Sequence, residues 1–387
     1  MKYYFLLARR YILSHKIKTI ILLTSISITL YLPVTVNILV SRYEAHLMSR
    51  AKVTPLIIGP KGSRMDLTIH ALYFKLKTTG RCTMKNWQDV QDSTYALPIP
   101  LYTRYTANQA PIVGTSLEYF SFRKLHLQSG TLPIRLGDCV LGANAAQQLH
   151  VETGQSIMSD PENVFDIAGS YPLKMRVTGV LKPAGTPDDD VVFAGIETTW
   201  IIDGLAHGHQ DVTKKTTAEN VILEKTKRNV TANAALMHFT EVTDDTIDSF
   251  HFHLKFEERP ITAIIAVPFD KKSETLLRGH YLSEESPVQM LIPTQVVEDL
   301  MGIVFKVKRF FDVNAILVSL SAGLFLGLVL ALSLRLRQRE IQTMFKLGCN
   351  RLTTAGLLFF ELVIIITMSI GLSVMATLAT LAVVKPF

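Results

Sequence analysis

Two H-x-H pairs are the residues best suited to coordination chemistry: His207-Gly208-His209, with Asp211 close behind, and His251-Phe252-His253. Neutral imidazoles at this spacing bind zinc or copper. In a strand, positions i and i+2 face the same side, so His251 and His253 could present to one ion. No cysteine or fixed third ligand accompanies either pair. The reading taken is solvent-exposed histidines, with metal binding by His207, His209, His251 and His253 as the alternative. Asp188-Asp189-Asp190 offers the oxygen donors of a hard-cation site. It follows Gly185-Thr186-Pro187, which reads as a turn, so a solvated acidic loop is expected there.

Enzyme chemistry finds no foothold. There is no H-E-x-x-H, no G-x-S-x-G and no paired C-x-x-C. Lys61-Gly62-Ser63 ends like a phosphate loop but lacks the G-x-x-x-x-G-K-[ST] spacing. No catalytic residue and no resident cofactor is assigned. Three cysteines are too few for a disulfide framework; Cys82 and Cys139 are either a bridge or two buried thiols, and Cys349 is expected to stay free. The net charge of +7 does not point to nucleic acid, because much of the excess sits in two basic clusters beside apolar runs.

Those runs are Thr19–Val40, Ala315–Leu334 and Leu352–Val384. Each reaches the roughly 20 residues needed to cross a bilayer. The fold class expected is an α-helical transmembrane bundle of about three spans with a large inserted α+β domain outside the cytoplasm. Lys2, Arg9, Arg10, Lys16 and Lys18 precede the first run, and Arg335, Arg337, Arg339, Lys346 and Arg351 lie between the second and third. Positive charge stays cytoplasmic, which places residues 41–293 on the outer side. Lys306, Lys308 and Arg309 flank the second span on its outer side and run against this rule. Residues 1–18, mixing Tyr3, Phe5 and Leu6 with basic residues, suit a short helix in the headgroup layer. The spans are 19–40, where Pro33 should bend the helix, then 315–334 and 352–384. The last run is too long for one untilted span and too short for two, leaving room for a shortened fourth element. Glu361 is expected to pair with Arg335 or Arg337.

Within the outer segment, β-rich pieces are expected at Val53–Ile58, Leu173–Leu181, Val191–Ala194 and Ile261–Val267. Helices are expected at Ala143–Leu149, Glu197–Leu205 and Lys272–Leu282. Breaks near Tyr119 and Gly208 would make the middle piece an insertion into the outer one, and Asp211–Asn233 reads as an exposed connection. Thr294 to Leu334 reads as one helix, with residues 294–314 as a stalk. Residues 335–351 hold a short amphipathic helix, roughly Arg337–Leu347, with Ile341, Met344 and Leu347 three apart and Gly348 near its end.

Arg339-Glu340-Ile341, Leu347-Gly348, Arg351 and Glu361 together resemble the signature of MacB/FtsX-type (type VII) ABC transporter permeases. Gly130, Gly142, Ala145-Ala146 and Gly154, then Val177 to Leu181 and Gly185-Thr186-Pro187-Asp188-Asp189, resemble the MacB-like periplasmic core domain. Thr54 to Ser63 resembles its entrance. The resemblance implies a multi-pass subunit of a bacterial inner membrane, homodimeric or paired with a related permease. It implies a cytoplasmic ABC ATPase partner that binds ATP and Mg, and allows a periplasmic adaptor, lipoprotein or envelope partner. Arg337, Arg339, Glu340, Ile341, Met344, Lys346, Leu347 and Gly348 would then couple to the ATPase. The implied role is export or release of a hydrophobic, lipid-linked, peptide or metal-related substrate by mechanotransmission; the alternative is FtsX-like signalling to an envelope enzyme. Family members usually have four spans, one more than is expected here.

Overall fold

The computed structural model describes residues 2–75, 80–161, 172–208, 222–225, 230–232, 239–281, 286–336, 338–346 and 350–384. The chain divides into two units, one of residues 1–47 and 299–387 and the other of residues 48–298.

The first unit is helical. Its elements are α1 (Lys2–Ser14), most of α2 (Lys16–Lys52), most of α9 (Pro293–Leu336), α10 (Gln338–Lys346) and α11 (Arg351–Val383). Helix α2 runs through Pro33 and α11 runs through Gly371, so the last apolar run is one helix without a fourth element among the described residues. By length and composition α2 and Phe359–Val383 are long and apolar enough to cross a membrane. The Ala315–Leu334 run lies inside α9, a single helix of 44 residues that also contains the expected stalk. Helices α2 and α11 meet along hydroxyl side chains. Ser27 Oγ donates to the Ser369 carbonyl (3.2 Å), Tyr31 and Thr380 hydroxyls lie 2.7 Å apart, and Thr35 and Thr377 hydroxyls 3.0 Å apart. These hydroxyls give the two helices polar contacts along their shared face.

The second unit is built on a mixed sheet. Its strands are β1 (Leu56–Pro60), β2 (Cys82–Thr83), β3 (Ala96–Ala107), β4 (Ala110–Thr115), β5 (Leu127–Gly130), β6 (Asp138–Leu141), β7 (Ser156–Met158) and β8 (Lys174–Leu181). They continue with β9 (Val192–Gly195), β10 (Ala206–Gly208), β11 (Ile222–Lys225), β12 (Val230–Ala232), β13 (Phe250–Phe252), β14 (Pro260–Ile261), β15 (Ala263–Pro268) and β16 (Val288–Leu291). Ten of them form one sheet in the order β16-β1-β15-β3-β4-β9-β6-β8-β5, with β7 beside β8. Residues 56–115 and 263–291 supply one half and residues 127–195 the other; β4 and β9 join the halves in parallel. The piece between Tyr119 and Gly208 therefore extends a shared sheet instead of forming a body of its own.

Sequence dictates this locally. In β8, Met175, Val177 and Leu181 alternate into the core while Arg176 faces out, the two-residue period of a strand with one buried face. β1 is buried at all five positions because a strand lies on each side of it and both faces are covered. The β3–β4 hairpin turns through Asn108 and Gln109, both with positive φ. Asp160 fixes that turn, accepting from the Asn108 and Gln109 amides and from Thr106 Oγ1. Helices α3 (Arg64–Tyr73), α4 (Met84–Ser93), α7 (Ile196–Ile202) and α8 (Lys271–His280) pack on the first half of the sheet. Ser63 caps α3 by accepting from the Asp66 amide, so Lys61-Gly62-Ser63 is a helix start. Part of the expected connection Asp211–Asn233 is the antiparallel ribbon β11–β12, and the rest of it lies outside the described residues.

Candidate functional site

Helix α10 is the first candidate site. It holds Arg339, Glu340, Ile341, Met344 and Lys346, while Arg337, Leu347 and Gly348 lie outside the described residues. Helical spacing puts Ile341, Met344 and Phe345 at i, i+3 and i+4, so they share one face. Phe345 is exposed and was not singled out by the three-residue spacing; the i+4 position was the signal that would have found it. Thr343 Oγ1 donates to the Arg339 carbonyl (2.9 Å).

Lys18, on the first turn of α2, lies 3.5 Å from the buried Glu361; among the described residues Arg335 does not pair with it, and Arg337, the other expected partner, lies outside them. Sequence distance hid this pairing. Arg335 is far closer along the chain, but α11 packs its Glu361 face toward the start of α2.

In the second unit the acidic triplet is the opposite of a solvated loop. Asp188 and Asp189 are buried in a short 3-10 turn (Pro187–Asp190). Arg50, on the last turn of α2, reaches both Asp188 oxygens: Nη1 donates to Oδ2, and Nη2 donates to Oδ1 at 2.8 Å. Its Nε donates to the Leu72 carbonyl (3.2 Å) and Nη2 also to Tyr119 Oη (2.9 Å). Tyr119 Oη donates to Asp188 Oδ1 (2.6 Å) and Thr186 Oγ1 to Oδ2 (2.9 Å). Burial alone would push the Asp188 carboxyl up; Arg50 and Tyr119 overcome it and hold the group below the usual carboxylate range. Asp189 accepts from the Ala184 and Gly185 amides, and Asp190 from Asn144. All three carboxylates have partners, which argues against a hard-cation site.

Gly142 explains why the turn can sit where it does. A Cβ there would meet the Asp188 carbonyl inside van der Waals contact and the Asp189 carbonyl at 2.5 Å. Gly130 has φ +79 and lies against β8, where a Cβ would come within 2.7 Å of Gly179 Cα. These glycines of the recognised string are therefore close-approach positions between sheet, helix α6 (Ala143–Leu149) and acidic turn.

Cys82 and Cys139 are buried free thiols and do not bridge. Burial pushes the Cys82 thiol up to about 12 and the Cys139 thiol higher still. Since the thiolate is the reactive form, neither is expected to react with iodoacetamide at about pH 8 in the folded chain. Mass spectrometry should find both modified only after denaturation.

Of the four histidine candidates, the structure brings His207, His251 and His253 together, with ligand atoms all within 4.8 Å of one another. His209 lies outside the described residues. These three are the residues that could hold a metal.

No protein-family model matches the chain, and no curated protein matches it. Among solved structures, it is similar to the periplasmic region of MacB from Actinobacillus actinomycetemcomitans, at 10% identity over 66% of this chain and 97% of that one, TM-score 0.36. It is also similar to the extracellular domain of the noncanonic ABC-type transporter YknZ from Gram-positive bacteria, at 10% identity over 62% and 98%, TM-score 0.32.

Proposed function

We propose that this chain is the membrane subunit of an ATP-driven complex, in which a separate cytoplasmic ABC ATPase moves the outer unit through continuous helices. The observation that carries this reading is the chain from Pro293 to Lys346: a helix of 44 residues, strongly apolar in its second half, followed closely by a short amphipathic helix in a basic segment. A helix without an internal loop transmits displacement along its length, and α2 offers a second route, since its last turn carries the buried Arg50. Large apolar side chains stand exposed on all three long helices, among them Ile28, Leu324 and Met375, which suits lipid on the outside. The basic residues near Lys18 and Arg339 orient the outer unit away from the cytoplasm. The permease-type motif at Arg339-Glu340-Ile341 to Glu361 agrees with this layout.

In this reading Ile341, Met344, Phe345 and Leu347 fill an apolar groove of the ATPase, while Arg337, Arg339, Glu340 and Lys346 set polar register at its rim. Lys18 ties α2 to α11 through Glu361. ATP and Mg belong to the partner, because this chain lacks a phosphate loop. The cargo class is hydrophobic, lipid-linked or peptide.

The test uses the full chain copurified with its ATPase in lipid nanodiscs. Met344→Asp and Phe345→Asp each place a charge in a surface that must lose water, forfeiting ~1.5–3 kcal/mol of apolar burial. Stimulation of ATP hydrolysis is expected to fall at least about 10-fold, with protease protection of the outer unit unchanged. Undiminished stimulation removes the coupling assignment. ATP-dependent release of cargo, lost in the same variants, separates transport from FtsX-like control of an envelope enzyme.

A further inference from the structure

The geometry points to a second site, independent of the permease reading: His207, His251 and His253 bind a divalent transition-metal ion of the zinc or copper class. The site is made by register. β10 pairs antiparallel with β13 so that His207 stands directly opposite His251. Side chains alternate along β13, and Phe252 takes the inner face, edge-on to Trp200 at 6.1 Å. Phe250 packs beneath Gly208, where a Cβ would come within 2.7 Å of its ring. His251, and His253 two residues on, are thereby turned to the other face. The three ring centroids lie 4.9, 4.6 and 5.0 Å apart.

The donor atoms are close to what an ion requires. Three nitrogens bound tetrahedrally at about 2.0–2.1 Å would lie roughly 3.3–3.5 Å from one another. His253 Nε2 and His207 Nδ1 are already 3.3 Å apart. His251 Nδ1 donates to the Ser249 carbonyl (3.1 Å), a backbone hydrogen bond of the kind that orients metal-binding imidazoles. The backbone on both sides is held: the Phe239 amide donates to the Gly208 carbonyl (2.9 Å) and the His253 amide to the Leu205 carbonyl (3.2 Å).

The chemistry of the donor set selects the ion. Neutral imidazoles without a carboxylate favour zinc, copper or nickel over magnesium or calcium. His251 and His253 are exposed and His207 is half-buried, so the ion is reached from solvent and its fourth position is open to water or a further donor. A bound ion would clamp β10 to β13, whose pairing otherwise spans three residue pairs.

The experiment uses the tag-free full chain in detergent, stripped with chelator and titrated with zinc chloride by calorimetry and with cobalt chloride by visible absorption. The expected results are saturable binding of a single zinc ion, a tetrahedral cobalt band, and a higher unfolding temperature when zinc is present. His207→Ala, His251→Ala and His253→Ala should each weaken zinc binding at least about 10-fold and abolish the zinc-dependent rise. Their metal-free unfolding curves should match that of the parent chain, since the rings lie on the outer face. No saturable binding, or unchanged affinity in the His207→Ala and His251→Ala chains, overturns the site.

Discussion

Asp188→Asn is expected to destabilise the unit of residues 48–298 by about 3–5 kcal/mol, because it leaves the Arg50 guanidinium buried without its anion. The shape of the side chain is nearly kept, so lost packing cannot account for a loss of that size. Both tryptophans, Trp87 and Trp200, belong to that unit, so their fluorescence during urea unfolding reports on it. The paired variant Arg50→Met/Asp188→Leu removes both charges and should lose less than Asp188→Asn alone. The sign of the pH dependence follows from the depressed Asp188 carboxyl. Its contribution is fully present above the ordinary carboxylate value of about 3.9 and is lost as pH falls through its lower folded value. The gap between parent and variant should therefore be flat near neutrality and close only in strong acid. Equal stability of parent and Asp188→Asn at neutral pH would show that the buried Arg50–Asp188 pair does not hold this fold together.

Gly142→Ala is the second large effect. The added methyl meets main-chain oxygens of Asp188 and Asp189, and main chain cannot swing aside as a flexible side chain can. Overpacking of this kind costs about 1–3 kcal/mol, and here it also displaces the turn that presents Asp188 to Arg50. The two effects share one structure, so they should not add. Gly142→Ala/Asp188→Asn is expected to lose less than the sum of the singles, measured by the same unfolding curves. Strict additivity would mean that the turn is not displaced. Gly142 has φ −61, so backbone strain plays no part in this prediction.

What could be read from sequence was what local pattern determines. The span Ala143–Leu149 folds as the expected helix, β8 keeps the alternation of Met175 and Val177, and the stretch from Thr294 to Leu334 forms one unbroken helix. What could not be read was set by tertiary register. Arg50 and Asp188 are 138 residues apart, and nothing near Gly185-Thr186-Pro187 signals that its acids face a cation inward. The short spacing of acids in a turn looked like a solvated loop because local sequence carries no term for a distant guanidinium. His207 and His251 met for the same reason: each pair was visible, but their convergence depends on how β10 aligns with β13. Lys18 rather than Arg335 beside Glu361 is a third instance, decided by helix packing across most of the chain.

The position of β1 has a consequence for how the molecule is made. Its neighbours are β15 and β16, with Leu56 opposite Ala266 and Ile57 opposite Leu291. When β1 is synthesised, both partners still lie more than 200 residues ahead in the chain. An apolar Leu56-Ile57-Ile58 segment must therefore wait unpaired while those residues are made. Closing so long a loop is slow, and the waiting strand edge invites aggregation. The nascent chain should depend on a holdase, and a chain truncated before Ala263 should be degraded instead of accumulating as a partial fold.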